Sequence, residues 1–226
     1  MEEARMQLYI VEYPISNQYA EASPIPVEHD YDKMDYCPEC GNRVSGGYWL
    51  PPREVVLNRH KAPDFLYTYC DNAPFVVSER VLEGIRSAGL SGLCKAEEIE
   101  TVRFQRKPKQ EKYLPKYYHI EVARSRITID HAHSVIKYGN RKDGPGCPLC
   151  RQVPATYDFF RNLSLKTEAY EGYDIFQTYE LCNQLFVSQR FVDMAEACGL
   201  TNLRCKKVQQ YKSECWDYLF PKNECK

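Results

Sequence analysis

Apolar residues in this chain gather in short runs, and the runs change period in two places. "REVVLN" (53–58), "DFLYTY" (64–69) and "IETVRF" (99–104) are rich in β-branched and aromatic residues, the composition of strands. "NLSLK" (162–166), "YDIFQTY" (173–179), "CKKVQQY" (205–211) and "YYHIEVARSRITI" (117–129) read the same way. The period shifts at Val81, Leu82, Ile85 and Ala88, which share one face at helical spacing, and again at Phe191, Val192, Ala195 and Cys198. This predicts helices over about 79–88 and 189–198. Each follows an apolar run ending in serine, "FVVS" or "LFVS". Ser78 and Ser188 suit the N-cap, because a hydroxyl there can accept a bond from a free N–H of the first turn. Gly89 and Gly199 supply the left-handed residue that closes a helix.

The pattern repeats. Moving 110 residues along the chain carries Cys37, Pro38 and Cys40 onto Cys147, Pro148 and Cys150, and Asp64 onto Asp174. It also carries "VVSERV" (76–81) onto "FVSQRF" (186–191), with Ser78 on Ser188 and Arg80 on Arg190, and "AGL" (88–90) onto "CGL" (198–200). One spacing held over so many positions implies two copies of one structural unit. The expected fold is α+β, with two tandem pseudo-twofold repeats of antiparallel strands, one main helix each, and CxxC zinc knuckles. The expected divisions are an acidic N-terminal leader with one strand (1–35), a first CxxC unit (36–104), a basic linker with connecting strands (105–145), and a second CxxC unit with the C-terminal tail (146–226). The repeats are expected to pack as one globular domain. The Gly/Pro-rich "GNRKDGPG" (139–146) leads into the second unit.

The cysteine pairs, "CPECG" (37–41) and "CPLCR" (147–151), carry the candidate chemistry. CxxC spacing lets two thiolates converge on one ion, and structural zinc takes four ligands in a tetrahedron. The simplest complete set is Cys37, Cys40, Cys147 and Cys150 around one structural zinc. The rival is one ion per unit, with Cys70 and Cys94 completing the first pair, and Cys182 and Cys205 the second. Those four also suit core thiols, a common fate of cysteine. His60 is a weaker ligand candidate because Tyr170 stands at the matching position. His131 and His133 would share one face of a strand, as a metal pair can. CPxC also serves thiol–disulfide exchange, where the first cysteine opens a helix. Here "GNRVSGG" follows, a loop. A last possibility is that both pairs are free thiols.

Composition narrows the function classes. The net charge of −1 lacks the basic excess of a general nucleic-acid binder. Charge is nonetheless uneven. Glu28, Asp30, Asp32 and Asp35 belong to an acidic leader, whereas Arg103, Arg106, Lys107, Lys109, Lys112 and Lys116 form a basic run. The N-terminus is acidic where a secretory signal is basic, and no apolar run approaches a transmembrane length. The protein is therefore expected in the cytoplasm, with no membrane partner. Eleven cysteines is an odd number, so at least one has no intrachain partner, and most are expected to be thiols or metal ligands. No phosphate-cradling glycine loop, HExxH or GxSxG occurs, and no enzyme activity is expected.

The two knuckles, with "APFVVSERVLEGIRSAGLSGL" (73–93), "YDIF" (173–176) and "LFVSQRFVDMAEACGLTNL" (185–203), resemble the double-CXXCG motif family over about residues 36–210. Some of these bacterial proteins are immunity proteins against contact-delivered polymorphic toxins. The second knuckle departs from the pattern, with Arg151 where the family has glycine, so the arginine must take that glycine's backbone conformation. The resemblance implies zinc and a cognate protein toxin as partner, neutralised by binding rather than by chemistry. Glu28, Asp30, Asp32 and Asp35 are the expected contact residues if that toxin is basic, together with exposed tyrosines. Two alternatives are a zinc-ribbon module that binds nucleic acid through residues 103–116, and a CxxC thiol oxidoreductase.

Overall fold

The computed structural model describes residues 6–14, 18–25, 29–45, 48–68, 75–109, 113–137, 146–151 and 159–213. The elements before the first helix are β1 (Leu8–Glu12), β2 (Ala22–Ile25), β3 (His29–Asp30), β4 (Tyr48–Trp49), β5 (Glu54–Leu57), β6 (Phe65–Leu66) and β7 (Phe75–Ser78). The first helix is α1 (Glu79–Ser87). Then come β8 (Leu93–Glu98), β9 (Thr101–Phe104), β10 (Tyr117–Ser125), β11 (Thr128–Ile129), β12 (Val135–Lys137), β13 (Phe159–Arg161) and β14 (Leu165–Lys166). The last are β15 (Ile175–Thr178), β16 (Phe186–Ser188), α2 (Gln189–Ala197) and β17 (Arg204–Lys207). The class is α+β, mostly strands with two α-helices.

One eight-stranded sheet organises the chain, in the order β17, β1, β16, β15, β10, β7, β6, with β8 on the other edge of β10. Its pairings are antiparallel except β10 with β15. A smaller sheet joins β2, β5 and β9, the last two in parallel. These two parallel pairs depart from the all-antiparallel expectation.

Side chains alternate across the main sheet, as a period of two requires. Tyr9, Val11, Val77, Ile120 and Val187 point to the face covered by α1 and α2, packing on Leu82, Ile85, Phe191 and Val192. Leu8, Ile10, Phe176 and Phe186 point the other way, into a second core with Ile127, Ile129 and Phe160. Val76, Leu66 and Tyr117 share that face but join a third core with Trp49, Val55 and Leu57. The face away from the helices is thus covered by two separate cores.

The leading segment is not apart from the body. β1 lies inside the main sheet, between β16 and β17. The N-terminal half of β10 lies likewise between β7 and β8, and its C-terminal end pairs with β15. Leu8 faces Ser188 as Tyr117 faces Ser78. Tyr9 faces Val187 and Lys207 as Tyr118 faces Val77 and Glu98.

Both helices follow the predicted spans to within a residue. They close with matching Schellman turns, Leu90 N–H to Ile85 O and Leu200 N–H to Ala195 O at 3.0 Å each, with Gly89 and Gly199 at positive φ. Their N-termini bear out the capping expectation at Ser188 and correct it at Ser78. Ser188 Oγ does accept from Phe191 N–H, but Ser78 makes no side-chain cap bond. Both hydroxyls donate to a buried aspartate, Ser78 to Asp64 and Ser188 to Asp174, at 2.7 Å each.

Those aspartates clasp the two halves reciprocally. Asp64 accepts from Arg80 and from the backbone N–H and hydroxyl of Thr201, at 3.1, 2.9 and 2.9 Å. Asp174 accepts from Arg190 and from the backbone N–H and hydroxyl of Ser91, at 2.7, 3.0 and 3.2 Å. Arg80 also donates to Cys198 O, at the end of α2, and Arg190 to Ala88 O, at the end of α1. Each aspartate therefore holds the loop that follows the other half's helix. At the neighbouring position Gly92 has φ +97°, and a Cβ there would lie 2.0 Å from Ile175 O, so only glycine fits. Asn202 occupies the related place with φ +61° and donates to Phe65 O at 2.8 Å.

Candidate functional site

The cysteine pairs each sit on a tight turn. Gly41 N–H returns to Cys37 O at 2.8 Å, and Arg151 N–H to Cys147 O at 3.0 Å. Both closing residues are left-handed, Gly41 at φ +72° and Arg151 at φ +52°. The arginine thus takes the conformation expected of it, at a cost of about 1 kcal/mol for a residue with a Cβ. The first knuckle is tied to β10 and the segment just beyond it: Arg124 pairs with Asp35 at 2.9 Å and Arg126 with Glu39 at 2.5 Å.

The two turns meet. Cys37 Sγ lies 3.6 Å from Cys147 Sγ, and Cys40 Sγ lies 3.6 Å from Cys150 Sγ. All four sulfurs fall within 4.8 Å of one another. A disulfide needs about 2.05 Å, so these are four separate thiols. A tetrahedron of sulfurs about 2.3 Å from a central ion has edges of about 3.8 Å, and the observed spacing matches it. Cys37 and Cys150 are buried with Val44 and Leu149, while Cys147, Tyr179 and Cys182 pack against them. At Cys147 burial pushes the thiol up, but the backbone N–H groups of Cys150 and Leu149 and the Cys37 and Cys40 thiols outweigh it, bringing it down to about 7. An acidified thiol is what a metal-holding thiolate requires. The four cysteines are therefore compatible with one shared metal ion.

A cavity of about 780 Å³ adjoins this centre on the face away from the helices. Tyr179 and Cys182 connect the two, and His119 and Glu121 from β10 line the cavity with Cys94 and Lys95 from β8. Beside it Arg53, 3% exposed, organises a polar network. It donates to Trp49 O at 3.1 Å, to the Tyr48 hydroxyl at 3.0 Å and to Glu97 at 2.7 Å. Lys95 reaches both Glu97 and the Tyr48 hydroxyl at 2.9 Å, and these two partners push its ammonium up to about 12. Burial raises the Glu97 carboxyl, but Lys95, Tyr48 and Arg53 more than reverse that. The ligand atoms of Glu97, His119 and Glu121 also lie within 4.8 Å of one another. Sequence reasoning missed this trio. The alternation of His119 and Glu121 within "YYHIEVARS" was a signal that they share a face, but Glu97 joins them only through the β8–β10 register.

The profile of the Immunity protein family (Imm11) matches residues 55–210. The chain belongs to this family. The Imm11 match takes in both helices, the clasping aspartates and the second cysteine pair, and begins beyond the first pair. Among curated proteins no match is found. No helix among the described residues is long and apolar enough to cross a membrane.

The remaining candidate residues scatter over the Imm11 fold. Cys94 lines the cavity, Cys205 packs against the helix-side core with its thiol pushed up to about 12 by burial, and Cys70 lies outside the described residues. His60 bonds Arg106 O at 2.8 Å and sits edge-on to Phe104, away from the knuckles. His131 and His133 lie in a turn rather than a strand, and each is held by its own carboxylate, Glu180 and Asp130. Asp30 pairs with Lys33 at 3.1 Å, Asp35 with Arg124, and Asp32 is exposed, whereas Glu28 lies outside the described residues. Of the basic run, Arg103 pairs with Glu54 at 2.6 Å and Lys116 with Glu98 at 3.4 Å, and Lys112 lies outside the described residues.

Proposed function

We propose that this chain is an immunity protein that binds and neutralises a cognate polymorphic bacterial toxin in the cytoplasm, with no catalysis of its own. Membership of the Imm11 family is the observation that carries this reading. Binding alone is enough to neutralise, because a surface that occludes the toxin's active site needs no reaction. Glu28, Asp30, Asp32 and Asp35, neighbours along the sequence, are the proposed contact residues for a basic toxin. The test is co-expression with the toxin encoded beside the gene. Protection and a co-purifying complex are expected, and neither appearing would sink the reading.

We further infer that one structural zinc sits between Cys37, Cys40, Cys147 and Cys150 and braces the fold. The support is four sulfurs at tetrahedral spacing, drawn from segments 110 residues apart. Zinc bound there would join the two knuckles without taking part in any reaction. One zinc per chain by elemental analysis is expected; two would favour separate sites. The 110-residue correspondence is read as a duplication. Each copy begins at its leading strand, β1 or β10, rather than at its cysteine pair, and each leading strand completes the other copy's sheet. The related registers of Leu8 and Tyr117 support that reading.

A further inference from the structure

One carboxylate on the cavity wall forms no ion pair among the described residues, although Lys95 stands opposite it across β8 and β10. Lys95 is committed to Glu97 and Tyr48, Arg124 to Asp35, and Lys33 to Asp30. Among the described residues the Glu121 carboxylate makes no hydrogen bond and no salt bridge, though it is half-buried and lies within 4.8 Å of Glu97. It sits where the β8–β10 register shifts, between Glu121 and Val122. Such bulges re-aim side chains beside functional sites. The related strand pair, β1 with β17, runs in regular register, and its glutamate at the matching place, Glu12, is neutralised by Lys206 at 3.3 Å.

We propose that this cavity receives a cationic side chain, an arginine or lysine, of the protein that the chain neutralises, and that Glu121 is the anion that pairs with it. The proposal rests on the immunity reading. Local charge complementarity selects the occupant, because Glu121 is the lining carboxylate that no described cation pairs with, while Asp35 is held by Arg124. The walls suit a cation as well. Tyr48 already has the Lys33 and Lys95 ammoniums 5.3 and 4.5 Å from its ring centre, and Arg124 lies 5.7 Å from that of Tyr179. Tyr36, 51% exposed, stands on the same lining as an anchor for the partner's surface. A divalent ion fits less well, since the Glu97 oxygens already accept from Arg53, Lys95 and Tyr48. Burial pushes the Glu121 carboxyl up, Lys95 and Arg53 oppose this, and Glu97 and Asp35 reinforce it. An incoming cation would relieve that penalty.

The experiment measures affinity of the purified protein for the toxin encoded beside its gene, together with melting midpoints. Glu121→Gln is expected to weaken the complex by about tenfold or more, as loss of a desolvated ion pair does. The same variant should melt at least as high as wild type, higher by about 2 °C, so weaker binding is not misfolding. Glu12→Gln is the matched control and should leave affinity unchanged. Wild type that protects alongside Glu121→Gln that binds equally well would overturn the inference and leave the immunity reading standing. Wild type that neither protects nor binds would overturn both. Calorimetric uptake of Mn²⁺ that Glu121→Gln abolishes would assign the cavity to an ion and overturn the side-chain proposal.

Discussion

The two halves of the main sheet share a framework and part company on one face. Around Asp64 and Asp174 the parts are nearly interchangeable: a serine, an arginine and the other half's post-helix loop surround each. Around the leading strands they differ. β1 presents Ile10 to Lys206, and at the related place β10 presents His119 to Glu97. Ile10 is packed into a core; His119 lines a cavity. The clasp is polar and buried, so any change there leaves a partner unpaired. The far face is freer to vary: both halves pack an apolar core there, but one half also keeps a charged cavity beside the cysteine centre.

The sharpest way to break the comparison is through the cysteines, where the halves should fail together. Chelation, or serine at Cys37 or at Cys147, should remove the proposed ion and much of the roughly 10 kcal/mol that a four-ligand zinc site can contribute to folding. Equal losses for the two variants, followed by thermal melting with zinc analysis, support one shared site. A loss confined to one variant would mean separate sites.

Next come the loop positions, where the halves should differ. Gly92→Ala forces a Cβ against Ile175 O and should cost about 4 kcal/mol or more in urea unfolding. Asn202→Ala loses a hydrogen bond to Phe65 O and an amide suited to positive φ, for about 2 kcal/mol. Similar losses at both would show that the loops tolerate strain alike.

The clasp should respond to pH. Burial raises the Asp174 carboxyl, but bonds from Ser188 and Ser91 and the Arg190 charge hold it below its ordinary 3.8. A depressed carboxylate stabilises the fold above the unfolded value and loses that contribution as pH falls through the folded one. Asp174→Asn should therefore cost about 2 kcal/mol at pH 7 and much less at pH 3, read as urea midpoints. A penalty unchanged at pH 3 would remove the charge from the explanation. The smallest effect is at the knuckle turns. Arg151→Gly should gain about 1 kcal/mol by relieving a left-handed residue, and Gly41→Ala should lose about as much.

The helices were legible because their signals are local: a change of period, a serine before, a glycine after. The cysteine cluster was legible as a count, since two pairs at a fixed offset make a set of four thiols. The clasp was half legible. Asp64, Ser78 and Arg80 stood in register with Asp174, Ser188 and Arg190, but a serine before a helix reads as a cap, and only tertiary packing turns its hydroxyl toward an aspartate. β1 was least legible. "LYIVE" looks like any short strand, and its partners, Phe186–Ser188 and Arg204–Lys207, lie at the far end of the chain. The Glu121 cavity depends on a register shift, which no residue pattern announces.

The seating of β1 also sets a clock. Of the described strands a ribosome makes this one before the others, yet its neighbours on both sides are among the last described elements to emerge. The first half can recruit β10 midway through synthesis, whereas β1 must wait, unpaired, until β16 has been made, and for its second neighbour until β17. Such distant pairing slows folding. A chain cut short between β16 and β17 would leave one edge of β1 uncovered.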